Sequence, residues 1–231
     1  MASKKIFENM KIVETRDGSE TLYVPDLDEH YHSTHGAYTE SMHVFIKNGL
    51  HAAMEKFEHI RLLEVGFGTG LNIWLSGNEL IPKNFKFHAY AIDIHPIKKD
   101  IFYQLNYPEF GNSEVERAFY DTIMRAEWNR EVRIASDFYL EKVSADWTSH
   151  PLDRSFNLVY YDAFSPGKQP EMWSKALFEK VARHMLPGGI LVTYTSKGEV
   201  RRNLEAAGLQ VEKIPGPPGK REMLRATKEG E

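Results

Sequence analysis

The stretch E-V-G-F-G-T-G at residues 64–70 decides the fold of this 231-residue sequence. An apolar run at residues 61–65 predicts a buried strand before it, and residues 71–80 predict a helix after it. Glycines at such a junction allow a tight turn and let a ligand lie against main-chain N–H groups at the start of the helix. The spacing is neither the G-x-G-x-x-G of a dinucleotide fold nor a phosphate loop with Lys-Ser/Thr. The junction therefore favours a ligand with a cation and a sugar over one with a pyrophosphate.

Apolar runs and amphipathic segments alternate along the rest of the chain. The runs predict strands at residues 61–65, 85–94, 138–145, 156–161, 189–196, 209–214 and 223–227, with a further edge strand at 132–135. The segments between them predict helices at residues 71–80, 171–185 and 199–207, and at least one on each side of residues 107–111. This alternation indicates an α/β fold with a mostly parallel, seven-stranded sheet in which only the last hairpin is antiparallel.

The first sixty residues differ from this pattern. Turn-forming residues at 16–19 predict a hairpin within residues 11–23, and apolar side chains at three- and four-residue spacing predict a helix at 41–57. The chain contains no internal repeat, low-complexity tract or long linker. We therefore expect one compact unit, in which an N-terminal extension (residues 1–60) covers the ligand site of a main domain (residues 61–231).

The composition excludes several classes of protein. Without cysteine there can be no disulfide framework, thiolate zinc site or cysteine nucleophile. No apolar run approaches the length of about 20 residues that spans a bilayer, and residues 1–10 lack the apolar core of a signal peptide, so we expect a cytoplasmic protein with no membrane partner.

Charge is segregated along the chain. The formal net charge of −4 gives no sign of a general polyanion binder. Residues 197–228, however, carry eight basic against four acidic side chains, whereas the first sixty residues carry ten acidic against six basic ones. Taken alone, the basic segment could be a solvated helix face and edge strand, or a surface that contacts phosphates.

The glycine stretch resembles the first motif of class I S-adenosylmethionine-dependent methyltransferases. The resemblance implies S-adenosyl-L-methionine as the cofactor, with its methionine end received by the acidic residue of the strand and by the loop. The candidate cofactor residues at this place are Glu64, Gly66, Phe67, Gly68, Thr69, Gly70 and Asn72.

Two further acidic residues follow predicted strands where such a fold binds its cofactor. Asp93 could accept both ribose hydroxyls, and Asp146, followed by Trp147, could bind the adenine amino group beside an aromatic wall. Each Asp could instead cap the helix that follows it. Because ligands of open parallel sheets bind beyond the carboxyl ends of the strands, their combination with the glycine loop favours the cofactor interpretation.

Asp162 follows the predicted fourth strand, at the edge that faces the transferable methyl group in a class I methyltransferase. A carboxylate there can orient a nucleophile or take its proton. An amine attacks only when it is uncharged, and a carboxylate within hydrogen-bond reach can hold it and take up its positive charge as methylation proceeds. Asp162 is therefore our candidate catalytic residue.

Further motifs narrow the resemblance to the methyltransferase domain of the MnmC family. They are E-V-G-F-G-T-G-L-N at residues 64–72, D-A-F-S-P-G-K-Q-P-E-M-W at 162–173, the basic segment 195–202, and K-R-E-M-L at 220–224, together with residues 31–33 and 40–45. The resemblance covers nearly the whole chain. It implies methyl transfer to the primary amine of 5-aminomethyl(-2-thio)uridine at wobble position 34 of tRNA.

In many bacteria this domain is fused to an FAD-dependent oxidase. Besides the glycine stretch at residues 64–70, the sequence contains no G-x-G-x-x-G unit, so the expectation is a stand-alone form without oxidoreductase activity. The aminomethyl substrate would then be supplied by other enzymes.

The resemblance also implies contacts with the anticodon loop of tRNA. Arg201, Arg202, Lys220 and Arg221 are candidates for phosphate contact. Aromatic side chains commonly stack on splayed bases, and the candidates here are Phe164, Trp173 and Tyr194, each of which could equally belong to the core.

The histidines His30, His32, His35 and His43 are close in sequence, but they lack a supporting cysteine or a fixed helical spacing. We therefore expect no metal site. This segment is instead expected to fold over the cofactor, with polar contacts from Tyr31 and Ser33.

Two alternatives remain open at this point. An aminopropyltransferase related to spermidine synthase shares the fold and has a similar Asp after the fourth strand. A non-catalytic module that binds tRNA or a protein partner would retain the fold without the reaction.

Overall fold

The structure is a computed structural model that describes residue 7 and residues 9–230. Most of residues 1–10, which the sequence predicts to lack the apolar core of a signal peptide, lie outside the described residues. A small antiparallel sheet comprises β1 (Lys11–Glu14), β2 (Glu20–Val24) and β3 (Glu29–His30). The main sheet comprises β4 (His59–Val65), β5 (Lys86–Asp93), β6 (Arg130–Ala135), β7 (Phe138–Ser144), β8 (Phe156–Tyr161), β9 (Met185–Thr193), β10 (Leu209–Pro215) and β11 (Glu222–Lys228).

Helices precede and connect these strands. They are α1 (Ala37–Ser41), α2 (His51–Met54), α3 (Leu71–Leu80), α4 (Lys99–Phe102), α5 (Glu114–Arg125), α6 (Lys175–His184) and α7 (Gly198–Ala206). A π-helical stretch, Met42–Leu50, joins α1 to α2, and single 3₁₀ turns lie at Ile81–Lys83, Tyr107–Phe110 and Pro170–Trp173. Within the described ranges, no helix combines the length and the apolar character needed to cross a bilayer.

The predicted α/β fold is confirmed, with one correction to the sheet. Strand order is β10-β11-β9-β8-β4-β5-β7-β6, so β4 lies between β5 and β8 and pairs with both in parallel. The sheet has eight strands rather than seven, because the edge segment β6 belongs to it: the chain turns after β6, and β7 returns antiparallel to β6. The last hairpin is therefore not the only antiparallel part, and β11 also runs antiparallel to β9.

The central strands are buried on both faces, as expected for a sheet covered by helices on each side. Alternate residues of β8 enter opposite clusters: Leu158 and Tyr160 pack towards the π-helical stretch and α3, whereas Val159 and Tyr161 pack towards α6 and α7. Gly49 lets the π-helical stretch lie close to the sheet, since a Cβ there would be 2.8 Å from Val192 Cγ2.

Asp17 connects the N-terminal hairpin to α1. One carboxylate oxygen accepts hydrogen bonds from the amide and hydroxyl of Ser19 at 3.0 and 2.5 Å. The other accepts from the amide and hydroxyl of Thr39 at 2.8 and 2.6 Å. Partial burial opposes ionisation, but the hydrogen bonds from Ser19 and Thr39 prevail and lower the pKa of Asp17 to about 2. The ionised carboxylate thus holds the small sheet against the first turn of the helical segment.

We expect replacement of Asp17 by Ala to lower the free energy of unfolding by about 1–3 kcal/mol, because the donors of Ser19 and Thr39 lose their acceptor. The pKa of Asp17 is lower in the fold than in the unfolded chain. Its contribution is therefore present above about pH 4 and lost as the pH falls towards 2. Urea titrations of both proteins should thus differ at about pH 7 and converge at about pH 2. The exposed Asp26→Ala is the matched control, and an equal loss of stability in both variants would contradict the prediction.

Candidate functional site

A cavity of about 420 Å³ opens at the carboxyl ends of the central strands, and part of the N-terminal segment covers it. Its volume is in the range of small-molecule sites. The sequence-predicted residues that line it are Tyr31, Ser33, Gly66, Phe67, Gly68, Thr69, Asn72, Asp93, Asp146, Trp147, Asp162, Phe164, Tyr194 and Lys220. The predicted residues outside the lining are Glu64, Gly70, Trp173, Arg201, Arg202 and Arg221. The structure thus brings together the glycine loop and all three strand-end acids.

The glycine loop begins where β4 leaves the sheet between its two neighbours. Gly66 N–H donates to the carbonyl of Ile92 at 2.9 Å, and Asp162 N–H donates to the carbonyl of Val65 at 2.9 Å. Gly66 has φ +93°, and a Cβ at this position would lie 2.5 Å from the carbonyl oxygen of Asp162. Only glycine satisfies both the backbone angle and the close approach.

Asp93 lies at the end of β5 and holds the loop from the other side. Its Oδ2 accepts a hydrogen bond from Gly68 N–H at 2.9 Å, and its Oδ1 accepts from His95 N–H at 2.8 Å. Burial raises the pKa of Asp93, although these two hydrogen bonds oppose the shift. The Tyr31 ring lies close to Gly68 and meets the edge of Phe164, with 5.0 Å between ring centroids. The N-terminal segment therefore contacts the loop as well as the cavity.

Asp146 combines the two arrangements that the sequence left open. Its Oδ1 accepts from the amide and hydroxyl of Thr148 at 2.8 and 2.7 Å, so it caps the turn that follows β7. It also lines the cavity next to Trp147, which is buried and donates its indole N–H to Tyr161 Oη at 3.2 Å. The ammonium of Lys180 lies 3.6 Å from the centroid of the Trp147 ring.

Asp162 is bound by the side chain of Asn72. The amide nitrogen of Asn72 donates to Asp162 Oδ2 at 2.9 Å and to Glu64 Oε1 at 3.0 Å. Burial raises the pKa of Asp162 to about 7. Glu40 adds to this shift, whereas the hydrogen bond from Asn72 and the charge of Lys220 oppose it. A carboxyl group with a pKa near neutrality that faces a cavity is suited to accepting and releasing a proton.

Glu40 is a residue of the site that sequence reasoning missed. Its side chain is 7% exposed, lines the cavity and pairs with the Lys220 ammonium at 2.5 Å. Its other oxygen accepts from Ser33 N–H at 2.7 Å. The Lys220 ammonium also lies 4.1 Å from the centroid of the Tyr194 ring. Glu40 falls within a stretch that resembles the family, but no local pattern predicts a partner 180 positions away.

The aromatic candidates separate into two groups. Phe164 and Tyr194 line the cavity, and Tyr194 donates its hydroxyl to the carbonyl of Ala163 at 2.9 Å. Trp173 is buried in the cluster beneath them and meets the edge of Tyr194 at 6.1 Å. The indole N–H of Trp173 donates to the carbonyl of Phe164 at 2.8 Å, so this side chain supports the wall of the cavity from behind.

Most of the C-terminal basic side chains have partners. Arg201 pairs with Glu205, Lys213 with Glu222 and Arg225 with Glu212, each at 2.7 or 2.8 Å, while Lys228 donates to the carbonyl of Ala182. Lys197, Arg202 and Arg221 are exposed and have no acidic partner among the described residues. Lys197 Nζ lies close to Gly167, which follows the cavity residue Ser165, and Arg221 follows the cavity residue Lys220. Two of the three exposed cations, Lys197 and Arg221, therefore lie beside the cavity.

The histidines of the N-terminal segment have separate partners. His32 is close to Thr21 Oγ1 at 3.2 Å, and burial lowers the pKa of His32 to about 4. His35 lies 3.2 Å from an Arg16 nitrogen, and His43 bonds to the carbonyl of Pro215 at 2.8 Å. Across the described ranges, no three His, Cys, Asp or Glu side chains are grouped as metal ligands would be.

Comparison with known proteins gives consistent matches. A family model described as an S-adenosyl-L-methionine-dependent methyltransferase matches residues 115–229. The tRNA 5-methylaminomethyl-2-thiouridine biosynthesis bifunctional protein MnmC of Azoarcus sp. (strain BH72) is 30% identical over 220 residues, which are 89% of this chain and 34% of that protein. The protein of the same description from Stutzerimonas stutzeri is 32% identical over 206 residues, 84% of this chain and 31% of that protein. The chain thus spans about a third of the length of the curated relatives it matches.

Among solved structures, MnmC2 from Aquifex aeolicus superimposes with a TM-score of 0.81 at 25% identity, over 96% of this chain and 72% of that one. Spermidine synthase from Thermotoga maritima matches with a TM-score of 0.57 at 8% identity, over 95% of this chain and 68% of that one, a likeness of fold alone. The glycine loop and the sheet are consistent with these matches: over most of its length the chain is similar to MnmC proteins, and residues 115–229 match a family of S-adenosyl-L-methionine-dependent methyltransferases.

Proposed function

We propose that this protein transfers a methyl group from S-adenosyl-L-methionine to the primary amine of 5-aminomethyl(-2-thio)uridine at the wobble position of tRNA. The observation that carries the proposal is Asp162, a half-buried carboxyl group with a pKa near neutrality that lies beside the glycine loop and lines a cavity of small-molecule size. Relatives about three times as long as this chain are named for the biosynthesis of the methylated nucleoside.

The cavity residues fit the cofactor of the family. Thr69 Oγ1 and Asn72 Oδ1 are buried and have no hydrogen-bond partner among the described residues, although both side chains belong to the lining. Buried polar atoms are normally paired, so unpaired ones at a cavity indicate a polar ligand that completes their hydrogen bonds. We infer that the loop and Asn72 hold the methionine end, Asp93 the ribose, and Asp146 with Trp147 the adenine. When bound, S-adenosyl-L-methionine supplies the electrophilic methyl group.

Asp162 would act on the amine that attacks the methyl group. In its ionised form, the carboxylate accepts a hydrogen bond from the amine, orients the lone pair and takes up the positive charge that develops. Glu40 and Lys220 form an ion pair and add no net charge, which leaves Asp162 as the ionisable group that meets the amine. A perturbed carboxyl in a ligand cavity favours an enzyme over a binding module, and the likeness to spermidine synthase, being one of fold, does not favour aminopropyl transfer.

Three exposed cations would attract the tRNA: Lys197, Arg202 and Arg221. They can contact phosphates around the anticodon loop while the wobble base enters the cavity and stacks on Phe164 or Tyr194. Arg201 and Lys220 contribute less to this attraction because their charges are paired. The reaction requires enzymes that supply the aminomethyl group, and with tRNA as substrate we propose that it takes place in the cytoplasm.

The reaction is tested by incubating the protein with methyl-labelled S-adenosyl-L-methionine and tRNA that lacks the terminal methyl group. Nucleoside analysis should show label in 5-methylaminomethyluridine. We expect Asp162→Asn to lower the rate by about 10²- to 10⁴-fold, the usual contribution of a positioned acid or base, and to change the affinity for S-adenosylhomocysteine little. Transfer by Asp162→Asn at the wild-type rate would remove Asp162 from the reaction.

The pH dependence follows from the raised pKa of Asp162. We expect kcat/KM to fall as the pH drops below about 7, because the carboxylate of Asp162 is the active form. Stability should run the opposite way. The protonated acid is favoured by the fold, so its contribution is present below about pH 4 and lost as the pH rises through about 7. Thermal unfolding should therefore show that the wild type loses more stability than Asp162→Asn between about pH 5 and about pH 8.

The tRNA surface is tested by replacing Lys197, Arg202 and Arg221 with Ala together. We expect weaker tRNA binding and a slope of log K against log salt that is flatter by about 2, since each lost phosphate contact removes about 0.7. The matched control replaces the ion-paired Arg201, Lys213 and Arg225, which should change the slope less. Equal effects in both triple variants would place the interface elsewhere, and the affinity for S-adenosylhomocysteine should stay unchanged in both.

A further inference from the structure

One amide group connects the glycine-loop strand to Asp162. The nitrogen of Asn72 in α3 carries two hydrogens, and it donates to Asp162 Oδ2 at 2.9 Å and to Glu64 Oε1 at 3.0 Å. Both hydrogens are thus used on carboxyl groups. One hydrogen bond is directed at Asp162 Oδ2. The other, to Glu64, fixes the rotation of the Asn72 amide group.

Glu64 does not contact the cavity. Its side chain is completely buried, and Asn72 is its hydrogen-bond partner and belongs to the lining. No cation among the described residues pairs with Glu64, and its Oε2 has no donor. An ionised carboxylate with a bare oxygen in such surroundings is very unfavourable, whereas a neutral acid is tolerated. Burial and the neighbouring Asp162 accordingly raise the pKa of Glu64, although Asn72 opposes the shift.

We propose that Asn72 is a positioning residue that holds and orients Asp162, and that Glu64 acts through Asn72 as a neutral, protonated anchor rather than as a ligand of the cofactor. The proposal rests on the proposed role of Asp162 in the reaction.

The charges around Asp162 define what the anchor does. Glu40 from α1 opposes ionisation of Asp162, and Lys220 from the turn between β10 and β11 favours it. Tyr194, which follows β9, stays neutral because burial raises its pKa well above the usual value. With Glu64 as a neutral anchor, its side chain adds no charge beside Asp162. The Asn72 amide is therefore the neutral group that favours the carboxylate, and removing it should make Asp162 harder to ionise.

The test follows the carboxyl ¹³C resonances of Asp162 and Glu64 during pH titration of the protein alone, with Asp162→Asn and Glu64→Gln used for assignment. We expect Asn72→Ala to raise the titration midpoint of Asp162 by about one pH unit. Glu64→Gln, which mimics the protonated acid, should leave that midpoint unchanged. Asn157→Ala is the matched control, because Asn157 is also buried and bonded but lies at the other end of β8. Asn72→Ser repeats the test with a smaller loss of polarity.

Three results would overturn the proposal. The midpoint of Asp162 could stay in place in both Asn72 variants, which would show that the amide does not hold the carboxylate. It could fall in Glu64→Gln, which would show that Glu64 is ionised in the wild type. Glu64→Gln could also lose more than about tenfold in affinity for S-adenosylhomocysteine, which would make Glu64 a cofactor ligand. Because the titration needs neither cofactor nor tRNA, a failure of methyl transfer with the expected midpoints would reject only the proposed function.

Discussion

The close approach of Gly66 to the backbone of Asp162 is the constraint on which the site depends. The chain leaves β4 there while hydrogen bonds continue to β5 on one side and to the residue after β8 on the other. A side chain at residue 66 would overlap the Asp162 carbonyl, so the glycine loop and the carboxylate can be adjacent only if this position is glycine. The parallel order β5-β4-β8 then places Asp93 and Asp162 on opposite sides of the loop. The glycine loop, Asp93 and Asp162 can thus share one edge of the sheet because residue 66 has no Cβ.

In this arrangement the half-buried Asp162 interacts with the buried carboxyl groups of Glu40 and Glu64 and with the Lys220 ammonium. Glu40 has the countercharge of Lys220, Asp162 has the Asn72 amide, and Glu64 has only the second hydrogen of that amide. Full ionisation would leave uncompensated charge in a region of low polarity, which is strongly unfavourable. Protons therefore remain on the groups with the poorest partners, and Asp162 titrates near neutrality because its partners only partly offset its burial. The same electrostatics that lower stability at high pH supply a carboxyl group suited to proton transfer.

Local sequence patterns were sufficient to predict the main elements that flank the site. Helix α3 and strand β8 have the predicted bounds, because a clear apolar run and a glycine junction define them without help from distant residues. The edge strand β6 was predicted at residues 132–135, but its antiparallel pairing depends on hydrogen bonds to β7, which a short mixed segment does not specify. Contacts between residues far apart in the sequence could not be predicted either. Glu40 and Lys220 pair only because α1 and the last hairpin meet at the cavity. Local patterns indicate which residue types are present at the strand ends, and tertiary packing decides which of them share a proton or a charge.

The distribution of charge shows why a composition can mislead about partners. A net charge of −4 describes the whole chain. At physiological ionic strength, however, screening limits the range over which an exposed charge acts to about 8–10 Å. A phosphate near the cavity therefore responds to the side chains around the mouth and little to acids elsewhere. Counting basic residues is also insufficient, since four of the eight in residues 197–228 form ion pairs with carboxylates. Of the four that remain, Lys228 donates to a main-chain carbonyl, and Lys197, Arg202 and Arg221 are exposed. For a polyanion, the position of such exposed cations matters more than the number of basic residues.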